Sequence, residues 1–301
     1  MNRVEGIVPP MVTPLLNDDA LDLPGIENLV EHLISGGVHG LFLLGTTGEG
    51  PSIKQSMRVT LIQKVCDQVQ GRIPVWVGLM NTSFREAVEL ADKAKECGAR
   101  GLVLAPPSFY KIEQHGLYRL VDQMLDEISL PLYLYNNPGV TQVSFELETV
   151  ARLLPREGVR GMKDSSGDMI YFQRLRELTE QTETELYMGP EELLMESLIV
   201  GGQGGIPGGA NIFPELYVAM YKAVTSGDLD KAQNLQRKIM RLTKVVYGGS
   251  GFIAEKVVNG IKCALQALDI CSAEVSKPLD RASEKKEKKI RELLKTHTRS
   301  G

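Results

Sequence analysis

The 301-residue chain predicts an α/β fold: a (β/α)8 TIM barrel with a C-terminal α-helical appendage. Two observations carry this expectation. Short apolar runs alternate with amphipathic helical segments eight times over roughly 225 residues. Such regular alternation argues for a parallel sheet, and eight units argue for closure into a barrel. The alternation then stops near Gly227, and only helical patterns follow. The expected boundaries are a catalytic barrel over 1–226 and a helical region over 227–301.

The elements follow in order. Ile7 to Val12 is extended, and Ile26, Leu29, Val30, Leu33 and Ile34 then mark one face of a helix ended by Gly36-Gly37. Gly40 to Leu44 is a buried strand, followed by a helix through Leu61, Ile62, Val65 and Val69. Pro74 to Val77 is the third strand, and Ser83-Phe84-Arg85-Glu86 is a capping box opening a helix that runs to Cys97-Gly98. Gly101 to Ala105 precedes a helix through Leu117 and Leu125; Pro131 to Tyr135 precedes one around Leu147 to Leu154. Val159 to Lys163, Glu185 to Met188 and Gly204 to Ile206 complete the eight strands, each with its helix. The tail reads as helices over 229–246, 252–268 and 283–294.

Composition excludes several classes. Lys+Arg 34 against Asp+Glu 38 gives a net charge of −4, with no basic excess for nucleic acid. The polar, acidic start is unlike a signal peptide, and no apolar stretch is long enough to span a bilayer. Cys66, Cys97, Cys263 and Cys271 form no CxxC pair, which fits small buried residues in a reducing, cytoplasmic setting. The histidines at 32, 39, 115 and 297 show no metal-ligand spacing, so no metal site is expected. The charge run Glu284 to Lys289 reads as a solvated helix face.

In a barrel of this kind, chemistry gathers at the C-terminal ends of the strands. The sixth strand ends in Lys163, followed by Asp164-Ser165-Ser166-Gly167-Asp168. Desolvation favours the neutral amine, which can attack a carbonyl; an ion pair with Asp164 is the competing reading. After the second strand, Gly45-Thr46-Thr47-Gly48-Glu49-Gly50 offers two hydroxyls and closely spaced N–H groups, sized for a carboxylate. It lacks the GK[ST] element of a P-loop. The fifth strand ends in Tyr135-Asn136-Asn137-Pro138, and the eighth leads through the glycine-rich run 201–209.

Together these motifs resemble the dihydrodipicolinate synthase / N-acetylneuraminate lyase family of class I, Schiff-base aldolases. The matching pieces are G-T-T-G-E at 45–49, Y-N-x-P at 135–138, G-x-K-D at 161–164 and G-G-x-G-G-I at 201–206, with Lys277-Pro278-Leu279 near the C-terminus. The resemblance spans nearly the whole chain. It implies an imine between Lys163 and the C2 carbonyl of pyruvate or a 2-keto acid. It implies that Thr46 and Thr47 hold the substrate carboxylate, that Tyr135 relays protons, and that Ile206 offers its backbone carbonyl. It further implies no metal or organic cofactor, and a homotetramer built from dimers.

Two positions depart from the synthase pattern. Val140 stands where an arginine clamps the carboxylate of the amino-aldehyde, and Phe109 falls at the place of a loop tyrosine, with Tyr110 one residue off. Lyase branches that act on sugar acids tolerate an aliphatic residue there and place acidic residues after the seventh strand. Glu191 and Glu192 occupy that place, although acidic residues are also ordinary in a helix's first turn. The expected activity is a pyruvate-dependent aldolase or lyase on an N-acetylneuraminate or 2-keto-3-deoxy-aldonate type of substrate, with Glu192 as a sugar contact. Dihydrodipicolinate synthesis, an imine dehydratase and a catalytically silent ligand-binding relative are the alternatives.

Overall fold

The computed structural model describes residues 3–297. Eight parallel strands form one sheet: β1 (Gly6–Ile7), β2 (Leu41–Leu43), β3 (Val75–Leu79), β4 (Gly101–Leu104), β5 (Leu132–Asn136), β6 (Val159–Asp164), β7 (Glu185–Met188) and β8 (Gly204–Gly205). Each of β2 to β8 pairs with its sequence neighbour, and β8 returns to β1. A parallel bridge between Pro10 and Phe42 joins the first extended segment to β2 and closes the barrel. His39 N–H to the Ile7 carbonyl, at 2.8 Å, continues that seam.

The outer helices are α1 (Leu23–Ser35), α2 (Gln55–Val69), α3 (Phe84–Glu96), α4 (Gln114–Glu127), α5 (Leu147–Leu153), α6 (Met169–Thr179), α7 (Leu194–Ile199) and α8 (Pro214–Thr225). Their starts follow from local chemistry. Ser83 accepts from Glu86 N–H at the head of α3, as its capping sequence predicts. Asp22 caps α1 through Gly25 N–H, and Asp168 caps α6 through Ile170 and Tyr171 N–H. An antiparallel hairpin, Leu15–Asn17 with Ala20–Leu21, precedes α1 and has no counterpart in the sequence reading. A one-turn helix, Pro138–Thr141, follows β5.

Two apolar clusters hold the molecule together. The lumen is filled by Val8, Phe42, Trp76, Val103, Ala105, Tyr133, Tyr135, Tyr187 and Ile206, so it is a packed core and not a channel. Trp76 stacks on Tyr133 with ring centres 4.3 Å apart, and Tyr187 meets Trp76 edge-on at 5.2 Å. Beneath these rings the fully buried Glu185 accepts from Tyr133 and Tyr187 and pairs with Arg160 at 2.8 Å. A buried carboxylate is tolerable only when its oxygens are satisfied this way.

The larger cluster lies between the strands and the helices. It also takes in residues of α9 (Leu229–Val246), α10 (Ile253–Ala267) and α11 (Glu284–His297). Ile239, Leu242, Ile261, Leu265, Ile290 and Leu294 belong to the same continuous core as the barrel helices.

Candidate active site

Register places the two central side chains. β5 and β6 run parallel with Tyr135 opposite Lys163 and Asn136 opposite Asp164. Side chains alternate faces along a strand, so members of each cross-strand pair share a face. Tyr135 belongs to the lumen cluster, and the Lys163 Nζ lies 4.1 Å from the centre of its ring and 5.2 Å from that of Phe42. Lys163 is only 5% exposed. A lysine ammonium over two aromatic faces gains cation–π stabilisation.

Asp164 faces the other way. Its carboxylate accepts from Asn136 Nδ2 at 2.8 Å, from Ser166 N–H at 3.1 Å and from Ser166 Oγ at 2.9 Å. Burial still pushes its pKa above the ordinary value. With its oxygens taken on the outer face, Asp164 is not the ion-pair partner of Lys163, and that competing reading falls.

The phenol of Tyr135 is the best-connected group of the site. Thr46 Oγ1 lies 3.3 Å from it, and Asn137 Nδ2 donates to it at 2.9 Å. Burial alone would raise its pKa. The positive charge of Lys163, with hydrogen bonding from Thr46, Lys163 and Ser165, outweighs burial and holds the phenol below its ordinary value. A phenol so placed can give and recover a proton beside the lysine.

The glycine-framed turn after β2 is strained in a defined way. Leu44 and Glu49 both hold left-handed backbone, with φ of 59° and 56°. The turn closes through Glu49 N–H to Thr46 O and Gly50 N–H to Gly45 O, both 3.1 Å. Among the described residues, these closing bonds consume neither the Thr46 nor the Thr47 N–H. A Cβ at Gly50 would lie 2.0 Å from the Leu44 carbonyl oxygen, so the turn admits no side chain there. Thr13 Oγ1 holds the Gly48 carbonyl at 2.6 Å from below. Strain of this kind persists only where the surroundings over-determine it.

Thr46 and Tyr135 open onto a cavity of about 140 Å³ at the C-terminal rim of the barrel. Ser52, Asn81, Thr82, Ser108 and Asn137 give it polar groups; Val140, Ala254, Val258 and Leu279 give it apolar ones. The last three come from the C-terminal region, so the helical tail forms part of the wall. Among the described residues, the lining carries no lysine or arginine, and Glu49 is its one acidic member.

Other expected residues fall at varying distances from this centre. Ile206 sits in the lumen cluster beside Tyr135, its N–H bonded to the Met188 carbonyl at 2.8 Å. Thr47 is buried next to Thr46. Glu191 is buried and accepts from Gly209 N–H, Tyr217 and Tyr247. It thereby ties the loops after β7 and β8 to α8 and α9. Glu192 is half-buried on the turn after β7 and lies outside the cavity lining. Phe109 and Tyr110 are exposed, with rings 5.0 Å apart, while Pro106, Pro107 and Ser108 just before them line the cavity.

The sequence reading passed over Ser165 and Asn137. Each lies two residues beyond a predicted site residue, Lys163 and Tyr135 respectively. That spacing returns a side chain to the same face of an extended segment, which is the signal that could have found them.

A packed parallel barrel with a lysine, a depressed phenol and an anion-sized turn at its C-terminal rim defines a lyase of the class I aldolase type. The family model for the dihydrodipicolinate synthetase family matches residues 3–297, and the chain belongs to that family. A solved dihydrodipicolinate synthase from Bacteroides thetaiotaomicron is 41% identical, with a TM-score of 0.93 over 98% of this chain and all of that one (100%). The 4-hydroxy-tetrahydrodipicolinate synthase of Methanoculleus marisnigri is 32% identical over 97% of this chain and 99% of its own. A probable 2-dehydro-3-deoxy-D-pentonate aldolase of Escherichia coli K12 is 31% identical over 98% of this chain and 97% of its own. Among the described residues, no helix is long and apolar enough to cross a membrane.

Proposed function

We propose that the chain cleaves, or in reverse condenses, a sugar-acid type of 2-keto acid, with pyruvate as one component and Lys163 as the imine-forming lysine. The N-acetylneuraminate or 2-keto-3-deoxy-aldonate class is the substrate class. The observation that carries this reading is the cavity wall: hydroxyl and amide groups surround the Tyr135–Thr46 pair, and no cation is present among the described lining residues. Hydroxyls of a polyol match such a wall. The second carboxylate of aspartate semialdehyde would be buried without a counter-charge, which is costly.

The proposed reaction runs in these steps. The Lys163 amine adds to the C2 carbonyl, and Tyr135 supplies the proton that lets water leave. The resulting iminium draws the electrons of the C3–C4 bond as a base takes the C4 hydroxyl proton. The aldehyde departs and an enamine remains. Protonation at C3 and hydrolysis release pyruvate and return the lysine. Tyr135, with its phenol held low beside Lys163, serves as the proton relay. Thr46 and Thr47 take the carboxylate and the Ile206 carbonyl faces the pyruvyl end; Glu192, which lies off the cavity lining, would meet outer hydroxyls only of a sugar chain that reaches past the rim. The lysine supplies the electron sink that a metal or organic cofactor supplies elsewhere. Cytoplasmic residence and a homotetramer complete the reading.

Dihydrodipicolinate synthesis is the second reading, and the identity to named synthases favours it. One screen separates the two. Pyruvate release is measured from a panel of 2-keto-3-deoxy sugar acids and N-acetylneuraminate, beside condensation of pyruvate with aspartate semialdehyde, with Lys163→Ala as control. Release from a sugar acid supports the proposal, and turnover of the semialdehyde alone replaces it. Pyruvate binding without turnover of any partner would favour a silent relative.

A further inference from the structure

We infer that Lys262 of α10, acting through Glu49, is a positioning residue for the substrate carboxylate, so the C-terminal helices complete the anion cradle. The inference rests on the imine reading above. Glu49 is a carboxylate inside a turn proposed to receive another carboxylate, and it lines the same cavity. Left alone, its charge would repel the ligand the turn is built for. It is not left alone. The Lys262 Nζ, fully buried, forms an ion pair with Glu49, and Ser276 N–H donates to the other Glu49 oxygen. Lys262 is fixed in turn by the Glu274 carbonyl at 2.6 Å.

This arrangement does two things. It neutralises the cradle's own acid with a charge supplied by α10. It also holds Glu49 in its left-handed backbone conformation, and Glu49 N–H closes the turn on the Thr46 carbonyl. The same Thr46 carries the hydroxyl that meets Tyr135. One lysine from the tail thus sets both the charge and the shape of the cradle.

The test uses the full-length protein. Wild type, Lys262→Met, Glu49→Gln and the double variant are compared by calorimetric titration with pyruvate and by borohydride trapping at saturating pyruvate. We expect Lys262→Met to weaken pyruvate binding about tenfold or more, because an unpaired buried charge then faces the ligand. At saturation its yield of Lys163 adduct should equal that of wild type. The double variant, neutral at both positions and still able to accept from Ser276 N–H, should recover most of the affinity. A purely structural role would lower the folded fraction and the adduct yield together while the dissociation constant stayed at the wild-type value, and that result overturns the inference. If Lys262→Met alone does not fold, Lys262→Gln, which carries no charge but can still donate a hydrogen bond to Glu49, decides: pyruvate binding about tenfold weaker than wild type supports the inference, and a wild-type dissociation constant overturns it. Wild type that binds pyruvate without any adduct removes the imine reading, yet the dissociation constants still read the Lys262 role.

Discussion

Replacing Glu191 by glutamine removes a carboxyl group that the fold prefers to keep protonated. Burial raises its pKa to about 7 from the ordinary 4.5; Gly209 N–H and the Tyr217 and Tyr247 hydroxyls pull it back only in part. The folded chain therefore holds a proton over a pH range in which the unfolded chain has lost it. The stability from this source is complete below about pH 4.5 and is lost as pH rises through about 7. At about 1.36 kcal/mol per unit, the full shift is worth about 3 kcal/mol, of which about 2.5 falls between roughly pH 5 and 8. The assay is urea unfolding of wild type and Glu191→Gln at those two pH values and one protein concentration. Wild type should lose about 2–3 kcal/mol more than the variant on going to the higher pH. Any constant cost of the amide cancels in the comparison. Equal losses would refute the argument, and a larger loss in the variant would reverse its sign.

Three further predictions concern the site itself. Tyr135→Phe should lower kcat for pyruvate release by about 10²–10⁴-fold while pyruvate still forms an adduct, as steady-state kinetics beside borohydride trapping would show. Val140→Arg places a cation in the cavity wall; it should depress sugar-acid cleavage and improve use of aspartate semialdehyde, read as the ratio of the two kcat/KM values. Gly50→Ala should destabilise the chain by about 1–3 kcal/mol and weaken pyruvate binding, because its methyl group would collide with the Leu44 carbonyl. Thermal unfolding and a pyruvate titration would check it.

Much of the fold was legible because its signals are local. Apolar runs of strand length alternate with 3.6-residue periods, and the expected helix over 229–246 appears with those limits in α9. Lys163 stood out because a lysine ending a buried strand is unusual, and Tyr135 because it falls at the end of the preceding strand, at the same rim. Contacts between distant residues were not legible. Glu49 and Lys262 are ordinary letters in a turn and a helix, and only the closed fold brings them together. The closing bridge at Pro10 is one residue pair with no periodic signature. The hairpin before α1 is too short to show a pattern of its own. The expected division at residue 226 tracks the end of alternation, whereas the apolar core runs on from the barrel into α9, α10 and α11. Ser165 was hidden because a serine after a strand end reads as turn chemistry, and its shared face with Lys163 becomes informative only when the extended segment is known to continue.

The central claim is that Lys163 forms an imine with pyruvate. The direct measurement is intact-protein and peptide mass spectrometry after borohydride reduction in the presence of pyruvate. The account predicts one reduced pyruvyl adduct per chain, located on Lys163 and absent from Lys163→Ala. An adduct on any other lysine, or none on a folded wild-type protein that binds pyruvate, would contradict it.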